Sequence, residues 1–227
     1  MGYTIFKSIS FLSPSSEQVL KSILQCDKKL IIFDVGAYIG NSAANYSKWF
    51  PRSQIYSFEP FKPHFKKLKK IRSKQVSFFN IGFSDIAQTD ALLINAGTGT
   101  SSMLALSENA SALWGGITDL NPVSKSNCDF STIDLFMEKN LINEIDFLKI
   151  DVQGAEFKVL EGAKKHLASK KIKLIQLEVI IVGTYEGQKT MGYYLNLFES
   201  LGYKLKGISD MAYHRGQLLQ LDMFFII

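Results

Sequence analysis

Apolar positions recur along this chain in two rhythms that take turns. Short continuous runs, "LIIFDV", "QIYSF", "FLKI" and "KLIQLEVI", have the length and β-branched content of strands buried on both faces. Between them, "NSAANYSKWF", "FKPHFKKLKKI", "STIDLFMEKN", "AEFKVLEGAKKHLAS" and "TMGYYLNLFESLG" space their apolar residues as helices do. Pro51 closes the first of these and Gly202 stops the last. "SPSSEQVLKSIL" predicts a capped helix start, with serines ahead of Glu17. Ser131 and Asp134 predict a capping box-like start for "STIDLF", and Phe61, Phe65, Leu68 and Ile71 share one helical stripe. "QVSFFNIGFSD" predicts a third strand ending in Asp85, and Ala91 to Asn127 a short hairpin with loops. "YKLKGIS" and "LQLDMFFII" follow one another across "DMAYHRGQ" with no helix between, which predicts an antiparallel hairpin.

Strands alternating with helices define an α/β fold with a doubly wound, mostly parallel sheet. The 227 residues suit one such domain. Hydrophobic residues at 46% and charged residues at 21% are ordinary for a globular chain and exclude disorder as its main state. No apolar run is long enough to cross a bilayer, so no membrane span is expected. The N-terminal residues lack the pattern of a signal peptide, and Phe6 stands where a myristoylation motif needs Ser or Thr. Cys26 and Cys128 are too few and too far apart for a disulfide framework. A cytoplasmic protein is the expectation.

In an open α/β sheet, ligands bind beyond the carboxyl ends of the strands. The first three predicted strands end in Asp34, Glu59 and Asp85. Gly36 and Gly40 flank the first turn, and the helix beginning near Asn41 points its positive end into the crevice. The spacing Asp-x-Gly-x-x-x-Gly is neither the GxGxxG of dinucleotide sites nor a P-loop. Glu59 lies about twenty residues on, the place for an acid that takes both hydroxyls of a ribose. An adenosine-type ligand without a pyrophosphate fits this set.

"FDVGAYIGNSA", "YSFEP", "NIGFSD", "GTSSM", "STIDLF", "IDFLKIDVQGAEFKVLEGAKKHL", "IQLEV" and "LDMFFII" together resemble the FkbM family of S-adenosylmethionine-dependent methyltransferases, over roughly residues 30 to 227. The resemblance implies a class I, Rossmann-like seven-stranded sheet with its last strand antiparallel. It implies O-methylation of hydroxyls on sugars or polyketide-type metabolites. Carried over residue by residue, Asp34, Gly36 and Gly40 cradle the methionine and ribose of S-adenosyl-L-methionine, and Glu59 holds the ribose hydroxyls. Pro60 and Phe61 line the adenine side, and Ser84 and Asp85 approach the adenine edge. Tyr38 stands where the family has Asn. The predicted organisation is a single methyltransferase domain over 1–227, with a helical extension over 1–28 and a catalytic core over 29–227.

On the acceptor side, Asp151 closes the fourth strand and Glu178 lies near the end of the fifth. A hydroxyl acceptor must lose a proton, and either carboxylate could take it or share a divalent cation. One Asp and one Glu fall short of an oxygen cage, and Asp151 could instead cap the helix after Gln153 and Gly154. "GTGTSSM" offers Ser101 and Ser102 to an acceptor, and His214 offers a base or contact in the last connection. His64 and His166 read as surface residues. Between Lys62 and Lys74 lie seven lysines and arginines and no acid, best explained as a solvated helix face, with an electrostatic guide for an anionic acceptor second. The net charge of +5 does not choose among partners. The expected acceptor is a hydroxyl of a carbohydrate or secondary metabolite. Rival readings are a methyltransferase acting on RNA and a non-catalytic adenosyl-binding module. "DVQG" stands where amino-group methyltransferases carry [ND]PP[YFW].

Overall fold

The computed structural model describes residues 14–227 apart from Thr98 and Ile117. The signal-peptide and myristoylation readings of the first residues therefore lie outside the described residues. The chain runs α1 (Ser16–Ile23), β1 (Ile31–Val35), α2 (Asn41–Trp49), β2 (Gln54–Phe58), α3 (Lys62–Leu68) and β3 (Val76–Phe79). It continues through β4 (Gly82–Phe83), β5 (Gln88–Asn95), α4 (Ala110–Leu113), β6 (Pro122–Ser131), α5 (Ile133–Lys139) and β7 (Ile145–Ile150). It closes with α6 (Glu156–Glu161), α7 (Lys164–Ala168), β8 (Ile172–Ile180), α8 (Met191–Ser200), β9 (Lys204–His214) and β10 (Gln217–Ile226).

Seven strands form the main sheet in the order β3-β2-β1-β7-β8-β10-β9. β3, β2, β1, β7 and β8 are parallel, and β10 enters antiparallel to both its neighbours. Arg215 and Gly216, both at positive φ, make the two-residue turn whose twist suits a hairpin. β9 consequently runs to His214, which is a strand end and not a loop residue. Strand order reverses between β1 and β7, and their carboxyl ends frame the crevice.

Alternate residues of each central strand feed two cores. Phe33 and Val35 join Leu148, Ile175 and Leu177 beneath α5 to α8, whereas Ile32, Phe147, Leu174 and Phe224 pack under Val19, Leu20, Ala43 and Tyr46 of α1 and α2. α1 starts at Ser15, whose hydroxyl accepts the Gln18 N–H while the Gln18 side chain accepts the Ser15 N–H.

Four local expectations are corrected. "QVSFFNIGFSD" breaks into β3 in the main sheet and β4 in a small sheet ordered β4-β6-β5, so Asp85 does not tip a main-sheet strand. The Asn80 side chain fixes that break by donating to the carbonyls of Glu59 and Pro60 at 2.8 Å each. α5 is capped by Thr132, whose hydroxyl accepts the Leu135 N–H, and not by Ser131. α3 ends at Leu68, so its stripe divides: Phe61 packs on the small sheet's core and Ile71 on the α1/α2 core.

The fourth is the helix expected after Gly154, which is broken between α6 and α7. A Cβ on Gly162 would lie 2.1 Å from the Ser84 carbonyl oxygen, while the Gly162 carbonyl accepts the Asp134 N–H at 3.0 Å. Gly162→Ala should therefore lower stability by about 1–3 kcal/mol through overpacking. Gly192→Ala in α8, where the nearest atom to a new Cβ is 3.8 Å away, should cost nothing and gain up to about 1 kcal/mol. Urea unfolding of the two variants checks the contrast.

Candidate active site

Gly36 follows β1 with φ +77°, and a Cβ there would stand 1.9 Å from the Asp151 carbonyl oxygen. Only glycine lets the ends of β1 and β7 come this close. Beside this contact lies a cavity of about 160 Å³. Its walls include Gly36, Tyr38, Glu59, Pro60 and His64 from the main sheet's rim, Gly82, Phe83 and Phe130 from the small sheet, Ser101 and Met103 from the connecting loop, and Asp151 and Gln153.

Glu59 is buried directly after β2, and its carboxylate is fixed by backbone donors. Oε2 accepts the Tyr38 N–H and Oε1 the Phe61 N–H, both at 2.9 Å. Tyr38 reaches this position at φ +51°, and its ring meets the His64 ring edge to face at 4.4 Å. His64 Nδ1 is 3.9 Å from Glu59 Oε1. Burial pushes the Glu59 carboxyl up to about 7, against the two N–H bonds that favour its charge. Burial and the nearby Lys67 push His64 below its usual range.

The second cluster spans β1, β7 and β8. Asp34 and Lys149 are register partners on adjacent strands. Lys149 Nζ is 3.6 Å from Asp34 Oδ1 and 3.1 Å from Asp151 Oδ2. Asp34 is fully buried, and burial raises its carboxyl. Asp151 is kept below its usual range because the Lys149 ammonium and the Gln153 bond outweigh the effect of burial. Burial and the charge of Asp151 push Glu178 well above the carboxylate range. Gln153 Nε2 joins the pair, donating to Asp151 Oδ1 at 3.1 Å and Glu178 Oε2 at 2.6 Å. Gln153 is itself clamped: its backbone is left-handed at φ +58°, its carbonyl accepts the Ser102 hydroxyl, and Oε1 accepts the Tyr185 hydroxyl. Asp151 caps no helix; the turn before α6 is held by buried Glu156, which accepts the N–H groups of Val152 and Gly154.

Of the residues singled out in the sequence, Gly36, Tyr38, Glu59, Pro60, Ser101 and Asp151 line the first cavity. Asn41, Phe61, Ser84 and Asp85 are not among its lining residues; Ser84 donates to Asp85, which pairs with Lys158 at 3.4 Å. Gly40, at φ +97°, is the N-cap of α2 and packs against Leu68 and Ile71. Ser102 is buried on the Gln153 carbonyl. His214 stands over Gly115 and is not among the residues that line the cavity. His64 and His166 are not surface residues: His64 lines the cavity, and His166 is hydrogen-bonded to Asp134 at 2.6 Å. Sequence reasoning missed Lys149, although a lysine inside the run "FLKI" was itself a signal of a buried ion pair. It also missed Gln153 and Tyr185. Among the described residues, no group of three or more His, Cys, Asp or Glu is placed to hold a metal ion, and no helix is long and apolar enough to cross a membrane.

The strand order, the antiparallel β10 and a crevice at the β1/β7 switch define a class I, Rossmann-like methyltransferase fold. A model of the FkbM methyltransferase domain matches residues 34–205, and the chain belongs to that family. Among solved structures it is similar to the FkbM methyltransferase of Methylobacillus flagellatus KT, at TM-score 0.54 and 14% identity, over 94% of this chain and 48% of that one. It is similar also to Aeropyrum pernix fibrillarin in complex with S-adenosyl-L-methionine, at TM-score 0.50 and 13% identity, over 93% of this chain and 73% of that one. A curated relative is the AMB antimetabolite synthetase AmbE of Pseudomonas aeruginosa, 28% identical over 176 residues. The match takes in 66% of this chain and 8% of that protein, so the chain spans a small part of the relative's length.

Lys149→Met would leave Asp34 and Asp151 facing one another without their cation, and should cost about 3–5 kcal/mol near neutral pH. Without the ammonium the Asp151 carboxyl would rise above its unfolded value and the Asp34 carboxyl, already raised, would rise further, so the folded state would bind more protons. The deficit relative to wild type should then shrink as pH falls from 7.5 towards 5, which urea titrations at the two pH values would measure.

Proposed function

We propose that the protein transfers the methyl group of S-adenosyl-L-methionine to a hydroxyl oxygen of a carbohydrate or secondary metabolite. The observation that carries this reading is the Glu59 carboxylate, buried yet on the cavity wall and pre-aimed by the N–H groups of Tyr38 and Phe61. Each of its oxygens has a lone pair left for one hydroxyl of a ribose diol. Gly36 puts the backbone of the β1 tip on the cavity wall, and Phe83 and Pro60 offer apolar walls to a purine. The residues present therefore suit the adenosyl cofactor. When bound, it supplies an electrophilic methyl group on a sulfonium.

The chain's own residues then serve the acceptor. Asp151 lies on the same wall, held ionised by Lys149, and accepts a hydrogen bond from the hydroxyl that is to be methylated. With the cofactor supplying the methyl group, Asp151 would take up the proton that the hydroxyl must lose on methylation. Gln153 holds Asp151 against Glu178, which keeps its own proton. Orientation supplies the rest, since in-line displacement depends on alignment more than on acid–base power. One observation favours the rival, non-catalytic reading: the Lys149 ion pair alone would account for an ionised Asp151.

Calorimetry with S-adenosylhomocysteine tests the cofactor site. The ionised Glu59 accepts the ribose hydroxyls, so affinity should be full above pH 7 and decline as pH falls through about 7. Glu59→Gln should weaken binding by roughly tenfold or more and flatten that pH dependence. An unchanged affinity in the variant would refute the assignment. For the acceptor side, labelled methyl transfer into fractionated cell extract should vanish in Asp151→Asn while S-adenosylhomocysteine affinity stays within about threefold. Transfer surviving in that variant would return Asp151 to a structural role.

A further inference from the structure

Asp151 lines two cavities, the one described above and a second, of about 350 Å³, against the α1/α2 face of the sheet. His64 lines only the first, on the wall that also carries Glu59. Its imidazole is wedged edge to face between two rings, with the Tyr38 centroid 4.4 Å away and the Phe61 centroid 4.9 Å away. Tyr38 holds its side of the wedge at φ +51°, a sparsely populated conformation for a bulky residue. Outliers of this kind persist where the surrounding structure enforces them, and they gather at ligand sites. The imidazole is thus fixed in place, yet neither of its nitrogens has a hydrogen-bond partner among the described residues.

His64 Nδ1 stands 3.9 Å from Glu59 Oε1, too far for a direct hydrogen bond. Burial and the Lys67 ammonium favour the neutral imidazole, so an ion pair does not close the gap. A hydroxyl oxygen about 2.8 Å from each atom spans it. A hydroxyl also suits both ends chemically: its hydrogen goes to the carboxylate, and its lone pair accepts the imidazole N–H. The Glu59 carboxylate favours the hydrogen on Nδ1, the nitrogen beside it. The two oxygens of Glu59 are therefore unequal. Oε1 has the Phe61 N–H with His64 beside it, whereas Oε2 has the Tyr38 N–H alone.

We propose that His64 is a second ribose-binding residue, donating to one of the two hydroxyls that Glu59 binds, so that the two hydroxyls of the diol are read with unequal strength. The inference rests on the reading of the first cavity as the cofactor site. His64 contacts the nucleoside and takes no part in methyl transfer. Tyr38 and Phe61 are positioning residues for it, since their rings fix the plane of the imidazole.

Ligand-observed NMR would rank adenosine, 2′-deoxyadenosine and 3′-deoxyadenosine on wild-type protein and on His64→Phe, with S-adenosylhomocysteine calorimetry beside it. The measurements belong at about pH 8, where Glu59 is ionised. On wild type, one deoxynucleoside should bind about fivefold more weakly than the other, the size of one neutral hydrogen bond. His64→Phe keeps a ring between Tyr38 and Phe61 but loses both nitrogens. It should weaken adenosine and S-adenosylhomocysteine about fivefold, leave the deoxynucleoside lacking the bridged hydroxyl unchanged, and bring the two deoxynucleosides within about twofold. His64→Leu repeats the comparison if the larger ring is not accommodated. His64→Asn, whose amide puts a donor near the place of Nδ1, should retain the preference. Equal weakening of all three nucleosides would mark a packing role, and no weakening of any would mark a water at Nδ1; either overturns the proposal and leaves the cofactor reading standing. Wild-type protein that binds neither adenosine nor S-adenosylhomocysteine would overturn the cofactor reading itself, and this one with it.

Discussion

Two carboxylates at the ends of β1 and β7 share one ammonium, and the layout of the crevice depends on that sharing. Asp34 and Lys149 face each other across the β1/β7 ladder, and Asp151 lies two residues beyond Lys149 on the same side of the strand. Burying Asp34 or Lys149 alone would cost several kcal/mol, so each is tolerable only where the other stands, with the partly exposed Asp151 completing the pairing. The arrangement therefore ties the register of two central strands to the chemistry at their tips. A slip of one residue would turn Lys149 into the α5–α8 core and strand both acids. Gly36 allows the same approach sterically, since any side chain there would strike the Asp151 carbonyl.

Much of this fold is legible in the sequence because its strands are buried on both faces and leave continuous apolar runs. β1, β2, β7 and β8 could be read from "IIFDV", "QIYSF", "IDFLKI" and "IKLIQLEVI" alone. The terminal hairpin was legible because no helical spacing intervenes between β9 and β10. The failures share one cause, which is tertiary contact overriding local pattern. "AEFKVLEGAKKHLAS" has helical spacing throughout, yet the approach of Gly162 to the Ser84 carbonyl divides it. "VSFFNIGF" reads as one strand, yet the Asn80 side chain is recruited by carbonyls twenty residues earlier and bends the chain into a second sheet.

The site shows the same division. Strand-tip acids are local facts of sequence, so Asp34, Glu59 and Asp151 could be picked out. The small sheet that closes the crevice could not, because Gly82, Phe83 and Phe130 become a wall only when β4 and β6 pair. His64 was misjudged for its lysine neighbours: on a helix three residues past Phe61, the side that faces the Tyr38 ring is invisible to composition. Charge misleads similarly when it is counted over the whole chain. The chain as a whole carries an excess of +5, while the charged walls of the cavity that meets Asp151 from the α1/α2 side are four acids and one lysine.

Gln153 explains how two adjacent acids come to differ. Its amide donates to both Asp151 and Glu178, so it draws the carboxyls together without supplying charge. Two carboxylates so close cannot both ionise at low cost, and one must hold a proton. Which one is decided by strand position. Lys149 lies on the strand of Asp151, whereas Glu178 has Asp222 as its cross-strand partner and no cation within ion-pair reach among the described residues. The proton therefore rests on Glu178, and the charge on Asp151. Had the bridging side chain been a lysine, both acids would ionise and the asymmetry would be lost. A neutral bridge between one paired and one unpaired acid leaves the negative charge on the carboxylate that lines both cavities, where an acceptor hydroxyl would meet it.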